Sequence, residues 1–172
     1  GVRFLALLYE AIDLSDDAIL LVEYGHDKVV GFVSGTPSLG PIYKALLRRP
    51  FRLISTLWPV LLSPAKVWRI LELMMHTLRS LNNEPESVLP VLPKFELISI
   101  SVSLDERRSG VALRLYEGLK KAAADRGFDA FKIVVGERLD SAHKFYTRMG
   151  ATPVRQTAVH GNDASIIYVQ EI

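Results

Sequence analysis

Six consecutive residues, Arg107-Arg108-Ser109-Gly110-Val111-Ala112, have the types needed to hold an anion. They follow a β-branched run and open an amphipathic one, so they read as a strand-to-helix turn. The first amides of a helix lack intrahelical acceptors, and the helix dipole favours negative charge at that end. Gly110 lets the backbone come close to a ligand, Ala112 keeps the helix start slim, and Arg107 and Arg108 add charge-assisted hydrogen bonds. A diphosphate would fit; a solvated basic turn with no ligand is the alternative reading. Two common phosphate motifs are absent, since no Gly-Lys-Ser/Thr follows and the turn lacks Gly-x-Gly-x-x-Gly.

A second segment, Leu139-Asp140-Ser141-Ala142-His143-Lys144-Phe145-Tyr146-Thr147-Arg148-Met149-Gly150-Ala151, reads as an amphipathic helix closed by Gly150. Together the two segments resemble the GNAT superfamily of acetyl-CoA-dependent N-acyltransferases. Its Gln/Arg-x-x-Gly-x-Gly/Ala signature, between the fourth strand and third helix, is matched by Arg107-x-x-Gly110-x-Ala112. Its helix Asn-x-x-Ala-x-x-Phe/Tyr-Tyr-x-x-x-Gly-Phe is matched from Ala142 through Gly150, with Leu139 in place of Asn and Ala151 in place of Phe. The resemblance is specific over residues 95–151.

It implies acetyl-CoA as co-substrate, no metal, and a primary amine of a small molecule as acceptor. The pyrophosphate falls to Arg107, Arg108, Ser109, Gly110, Val111 and Ala112. The family's fourth-strand amides, which hold the acetyl oxygen and pantetheine, map onto Ile100, Ser101 and Val102. Ser141 and Phe145 are further cofactor-binding candidates, the pantetheine contact of the missing Asn passing to Asp140 or Ser141. Tyr146 stands where the family has its general acid, and Glu96 where its histone acetyltransferases have a catalytic Glu. Other readings stay open: Tyr146 as a core aromatic at helical spacing, Glu96 as a rim carboxylate or salt-bridge partner. A binding or regulatory module that keeps the CoA turn without turnover is the competing function.

Other chemistries lack residues. There is no cysteine, hence no thiol nucleophile, thiolate metal site or disulfide. His26, His76, His143 and His160 have no metal-ligand spacing, so surface or core roles are expected. No Gly-x-Ser-x-Gly supports a serine hydrolase.

The elements that must position these residues follow from periodicity. A buried helix is expected over residues 4–12, and strands over 18–23 and 29–33 joined by a hairpin at Tyr24-Gly25-His26-Asp27-Lys28. Short helices broken at Pro50, Pro59 and Pro64 should follow. A long strand spans 94–102, a helix runs from about Leu113 to Gly127, a buried strand covers 130–135, and a last strand covers 164–169. The expected fold is α/β (α+β): a GNAT-like mixed, mostly antiparallel sheet flanked by helices, with a helical insertion before the family's fourth strand.

With 172 residues, 49% hydrophobic and 23% charged, a single globular domain over 1–172 is expected. It begins at Gly1 without the family's first strand and helix, so it reads as N-terminally incomplete. The net charge of +2 conceals an insertion, 41–82, with seven basic side chains against one acidic. This local asymmetry does not point to nucleic acid. With Phe51, Trp58, Trp68, Met74 and Met75, the insertion is a candidate for contacting an anionic membrane or a lipid-linked substrate. A helical cap on the core or on a second subunit of a homodimer is the other reading. It is similar to insertions in acetyltransferases found among surface-polysaccharide genes, which makes an amino sugar a candidate acceptor. The uncharged stretch 53–65 is too short to span a bilayer. A cytoplasmic protein, with membrane association through the insertion, is expected.

Overall fold

The computed structural model describes residues 2–47, 92–160 and 163–172. Four helices, α1 (Val2–Asp13), α2 (Gly40–Leu47), α3 (Val111–Ala124) and α4 (Asp140–Arg148), accompany six strands among these residues. The strands are β1 (Ile19–Gly25), β2 (Lys28–Thr36), β3 (Phe95–Val102), β4 (Ala130–Gly136), β5 (Thr152–His160) and β6 (Asp163–Glu171), arranged β1-β2-β3-β4-β6-β5. Every neighbouring pair is antiparallel except β3 and β4. This is the mixed, mostly antiparallel sheet expected. Beyond Leu47 the basic insertion lies outside the described residues.

Alternation along the strands builds two cores. Ile19, Val33, Phe95, Leu97, Phe131, Ile133 and Tyr168 are buried with Leu115, Tyr116 and Leu119 of α3 and Tyr146 of α4. Ala11 and Ile12 of α1 pack with Ile42 and Leu46 of α2, with Leu20 against them. α3 and α4 therefore cover one face of the sheet, and α1 and α2 the other. Each large buried side chain contributes on the order of 2 kcal/mol.

Local chemistry sets the boundaries. The β1–β2 turn is the two residues His26 and Asp27, with φ of 49° and 62°. Asp tolerates this conformation, which matches the strand twist of a type I′ hairpin. Gly25, expected to make the turn, is instead the last β1 residue, paired with Lys28. α3 and α4 end alike: Gly127 and Gly150 take φ of 81° and 89°. The amides of Phe128 and Ala151 then donate to Ala123 O and Tyr146 O, at 3.1 and 3.0 Å, the Schellman pattern that satisfies terminal carbonyls. At the other end of α3, a Cβ on Gly31 would lie 2.8 Å from Val111 Cγ1 and 3.0 Å from Leu115 Cδ1. The missing side chain lets the first turns of α3 lie directly on β2.

One irregularity shapes the centre of the sheet. On β2, Gly35 pairs with Leu97 and Ser34 with Ser99, so Ile98 is an extra residue in β3. Such a bulge bends its strand and interrupts pairing. β3 pairs with β4 only from Phe95↔Phe131 to Leu97↔Ile133. Beyond that rung β3 keeps β2 as far as Val102↔Gly31, and β4 keeps β6 as far as Gly136↔Ser165. The two strands part at the bulge.

Candidate active site

Among the described residues, the parting leaves the β4-facing edge of residues 98–102 without a strand partner. Backbone amides and carbonyls on an open edge must be satisfied by solvent or ligand. Ile100, Ser101 and Val102 lie on this stretch, where an extended amide-bearing ligand could add itself as a strand would. Ile100 and Val102 lean on the α3 core.

The turn 107–112 stands at the open end of β3. Ser103 N–H donates to Val30 O at 2.8 Å, and a short 3-10 helix, Leu104–Glu106, leads into it. Arg108 adopts φ of 67° and Gly110 φ of 85°, a left-handed geometry that costs a non-glycine residue about 1 kcal/mol. Ser109 Oγ donates to Glu106 O at 2.6 Å, so its hydroxyl is engaged within the turn. Arg114 fixes the turn from behind: Nε and Nη2 each donate to Glu23 Oε1 at 2.8 Å, and Nη1 to Ser109 O at 3.3 Å. Arg107 and Arg108 are exposed, Val111 is buried, and Ala112 is half-buried at the helix start. The first α3 amides remain without helical acceptors. An open amide edge beside a left-handed glycine and two arginines suits a pantetheine arm followed by a diphosphate, so the residues present fit acetyl-CoA.

Tyr146 is 6% exposed, with ring centroids 6.0 Å from Tyr116 and 6.3 Å from Tyr168. Burial pushes its phenol up to about 12. Tyr116 is raised further, by burial first and then by Tyr146 and Glu117, and its hydroxyl donates to Gln170 Oε1 at 3.0 Å. Phe145 is half-buried, 5.6 Å from Tyr116 and with the Arg148 guanidinium 5.9 Å over its ring; the fold uses it for packing. Ser141 is exposed in the first turn of α4, and Leu139, at the N-cap, is 56% exposed.

Glu96 lies on the opposite face of the sheet from Tyr146. It pairs with Thr36 on β2 and Lys132 on β4, and Lys132 Nζ is 3.3 Å from Glu96 Oε2. The sequence offered salt-bridge partner and base as alternatives, and the ion pair is present. It leaves Oε1 for other bonds. The same face carries a row of hydroxyls that sequence reasoning missed: Tyr9 and Ser99 at 3.0 Å, and Ser99 and buried Ser34 at 2.8 Å. The alternation Ile98-Ser99-Ile100-Ser101 was the available signal, because hydroxyls recurring in an apolar strand seek partners. His143 also proves bonded on both ring nitrogens, to Tyr168 and Gly136.

Residues 75–151 match the model of the acetyltransferase (GNAT) family. Among curated proteins none matches the chain by sequence. Solved structures share the fold. A protein of Bacillus anthracis described as a streptothricin acetyltransferase, in complex with acetyl coenzyme A, superposes with a TM-score of 0.60 at 14% identity, covering 98% of this chain and 70% of that one. An aminoglycoside 6'-N-acetyltransferase complexed with coenzyme A gives 0.56 at 14% identity, covering 94% and 76%. The ribosomal-protein-S18-alanine N-acetyltransferase of Escherichia coli gives 0.55 at 14%, covering 95% and 75%. The family match covers residues 75–151, and the fold it belongs to is shared along the chain.

Proposed function

We propose that the protein transfers acetyl from acetyl-CoA to the primary amine of a small polar molecule, an amino sugar being the leading candidate. The observation that carries this reading is the parting of β3 from β4, with Glu96 in the last paired rungs before it on one face of the sheet and Tyr146 packed on the other face. Acetyl-CoA supplies an activated thioester. On the stretch Ile100–Val102, the amides of Ile100 and Val102, which point away from β2 while that of Ser101 faces Phe32, would hold the pantetheine and the acetyl oxygen, and the 107–112 turn would hold the diphosphate, with Ser141 exposed on α4 as a further contact. The amine nitrogen forms its bond to the acetyl carbon as the carbon–sulfur bond breaks. Glu96, directly or through a water, takes the proton the amine must lose. The Tyr146 hydroxyl donates a hydrogen bond to the departing sulfur. With its phenol near 12 and a free thiol near 8.5, Tyr146 stabilises a thiolate without giving up its proton.

The hydroxyl row Tyr9–Ser99–Ser34, on the Glu96 face, favours an acceptor rich in hydroxyls. Release of free CoA thiol, measured with a panel of amino sugars, aminoglycosides and peptide N-termini, tests the reading. Saturable turnover with an amino sugar is expected. Turnover confined to peptide N-termini would refute the small-molecule acceptor, and acetyl-CoA binding without turnover on any amine would leave a binding module.

A further inference from the structure

We propose that His143 is a positioning residue for Tyr146, acting through Tyr168 and the end of β4; this rests on the reading of Tyr146 as the group that meets the leaving sulfur. His143 and Tyr146 are one turn apart on α4, so their side chains share a face of the helix. The helix has nine residues and an N-cap, Leu139, that makes no side-chain cap. So short a helix is not self-sustaining, and its orientation must come from tertiary contacts.

His143 supplies two. Nε2 lies 3.1 Å from Gly136 O, and Nδ1 lies 2.9 Å from the Tyr168 hydroxyl. A carbonyl can only accept, so Nε2 carries the proton, and in the neutral ring Nδ1 accepts from Tyr168 O–H. One tautomer therefore satisfies both strands. Gly136 is the last residue of β4, the far lip of the gap. Tyr168 stands on β6 opposite Ile133, and Ile133 makes the final rung with Leu97 before β3 departs. The Tyr168 ring in turn packs against Tyr146 with centroids 6.3 Å apart. Rotating α4 about its axis would break both bonds to His143 as it moved the Tyr146 hydroxyl. The imidazole thus sets the angle at which Tyr146 meets the gap, without touching substrate.

The test compares His143→Leu, His143→Gln and Tyr168→Phe, each alone and with Tyr146→Phe, in the full chain. Gln keeps a donor toward Gly136; Tyr168→Phe removes one hydroxyl and keeps the ring, so it reports even if His143→Leu folds poorly. The expected result is a fall in kcat of about 10-fold for His143→Leu and a smaller fall for Gln and for Tyr168→Phe, with acetyl-CoA Kd and amine KM within about 2-fold. In the Tyr146→Phe background the same changes should have little further effect, because both act through one hydroxyl. The ¹³Cζ resonance of Tyr146 in tyrosine-labelled protein without acetyl-CoA should move in His143→Leu and in Tyr168→Phe. Wild-type kcat with an unmoved resonance overturns the proposal, as does full additivity with Tyr146→Phe. If Tyr146→Phe itself keeps full kcat, the reading of Tyr146 fails and the proposal falls with it; if only the His143 and Tyr168 variants keep full kcat, that reading stands and the positioning role is lost.

Discussion

Tyr146 is a core aromatic and a candidate donor at once, and the two readings do not compete. Its ring belongs to the cluster of Tyr116, Phe145 and Tyr168, and that burial raises a phenol already protonated at neutral pH to about 12. Tyr146→Phe removes only the hydroxyl. It is expected to lower kcat by roughly 10- to 100-fold, with acetyl-CoA affinity nearly unchanged in calorimetry; unchanged kcat would take Tyr146 off the proton path. Glu96→Gln is expected to lower kcat/KM for the amine by about 100-fold at neutral pH, with less loss as pH rises and more of the amine is already deprotonated. Stopped-time thiol assays across pH resolve this, and a pH-independent loss would mean that Glu96 acts by binding. The sequence made the 107–112 turn legible because its signal is local. The partners of Glu96 and Ser99 were not legible: Lys132 comes from another strand, and Tyr9 is 90 residues away from Ser99.

Most elements were readable as well, since periodicity and glycine stops mark them: α3, β4 and α4 fall where the apolar stripes and Gly127 and Gly150 place them. β5 was missed. It carries Pro153 and exposed polar residues without an apolar run, and it can be a strand only because it lies at the sheet edge, where a missing amide leaves no neighbour unpaired. The hairpin forms within the expected segment, its turn at His26 and Asp27 closed by Gly25↔Lys28, while the bulge at Val30, between the pairs Glu23↔Gly31 and Tyr24↔Val29, left no signal in the apolar run. The seating of α3 on β2 gives a prediction at this scale. Gly31→Val would drive methyl groups into Val111, Leu115 and Ser101 O. A loss of about 1–3 kcal/mol in urea unfolding is expected, together with weaker acetyl-CoA binding as the first turn of α3 shifts. Full stability would mean that the helix start is free to move.

At the scale of the whole molecule, two cores clamp one sheet, and the order of strands and helices among the described residues is the one the family resemblance implied. The aromatic core between α3 and α4 makes stability depend on alkaline pH. Tyr146 rises from 10.0 to about 12 on folding, and Tyr116 rises too, so the native state binds these protons more tightly than the unfolded chain. Their contribution is complete below pH 10 and is lost as pH climbs through the folded value; for Tyr146 it amounts to on the order of 2 to 3 kcal/mol. Urea midpoints should be level from pH 8 to 9.5 with respect to these groups and fall steeply by pH 11.5, with a shallower fall in Tyr146→Phe. An equal fall in both proteins would place the alkaline sensitivity elsewhere.

The extra residue Ile98 has a consequence of parity. Along a strand, side chains alternate, so one inserted residue exchanges the destinies of all that follow. Phe95 and Leu97 face the α3 core before it, and Ile100 and Val102 face the same core after it, while Ser99 and Ser101 turn toward Tyr9 and Phe32. Without Ile98, Ile100 would face α1 and the serines would be driven into the apolar core. Which chemistry each face of the cleft offers is therefore written in the count of residues as much as in their kinds, and a single deletion would exchange the two faces without altering any side chain that remains.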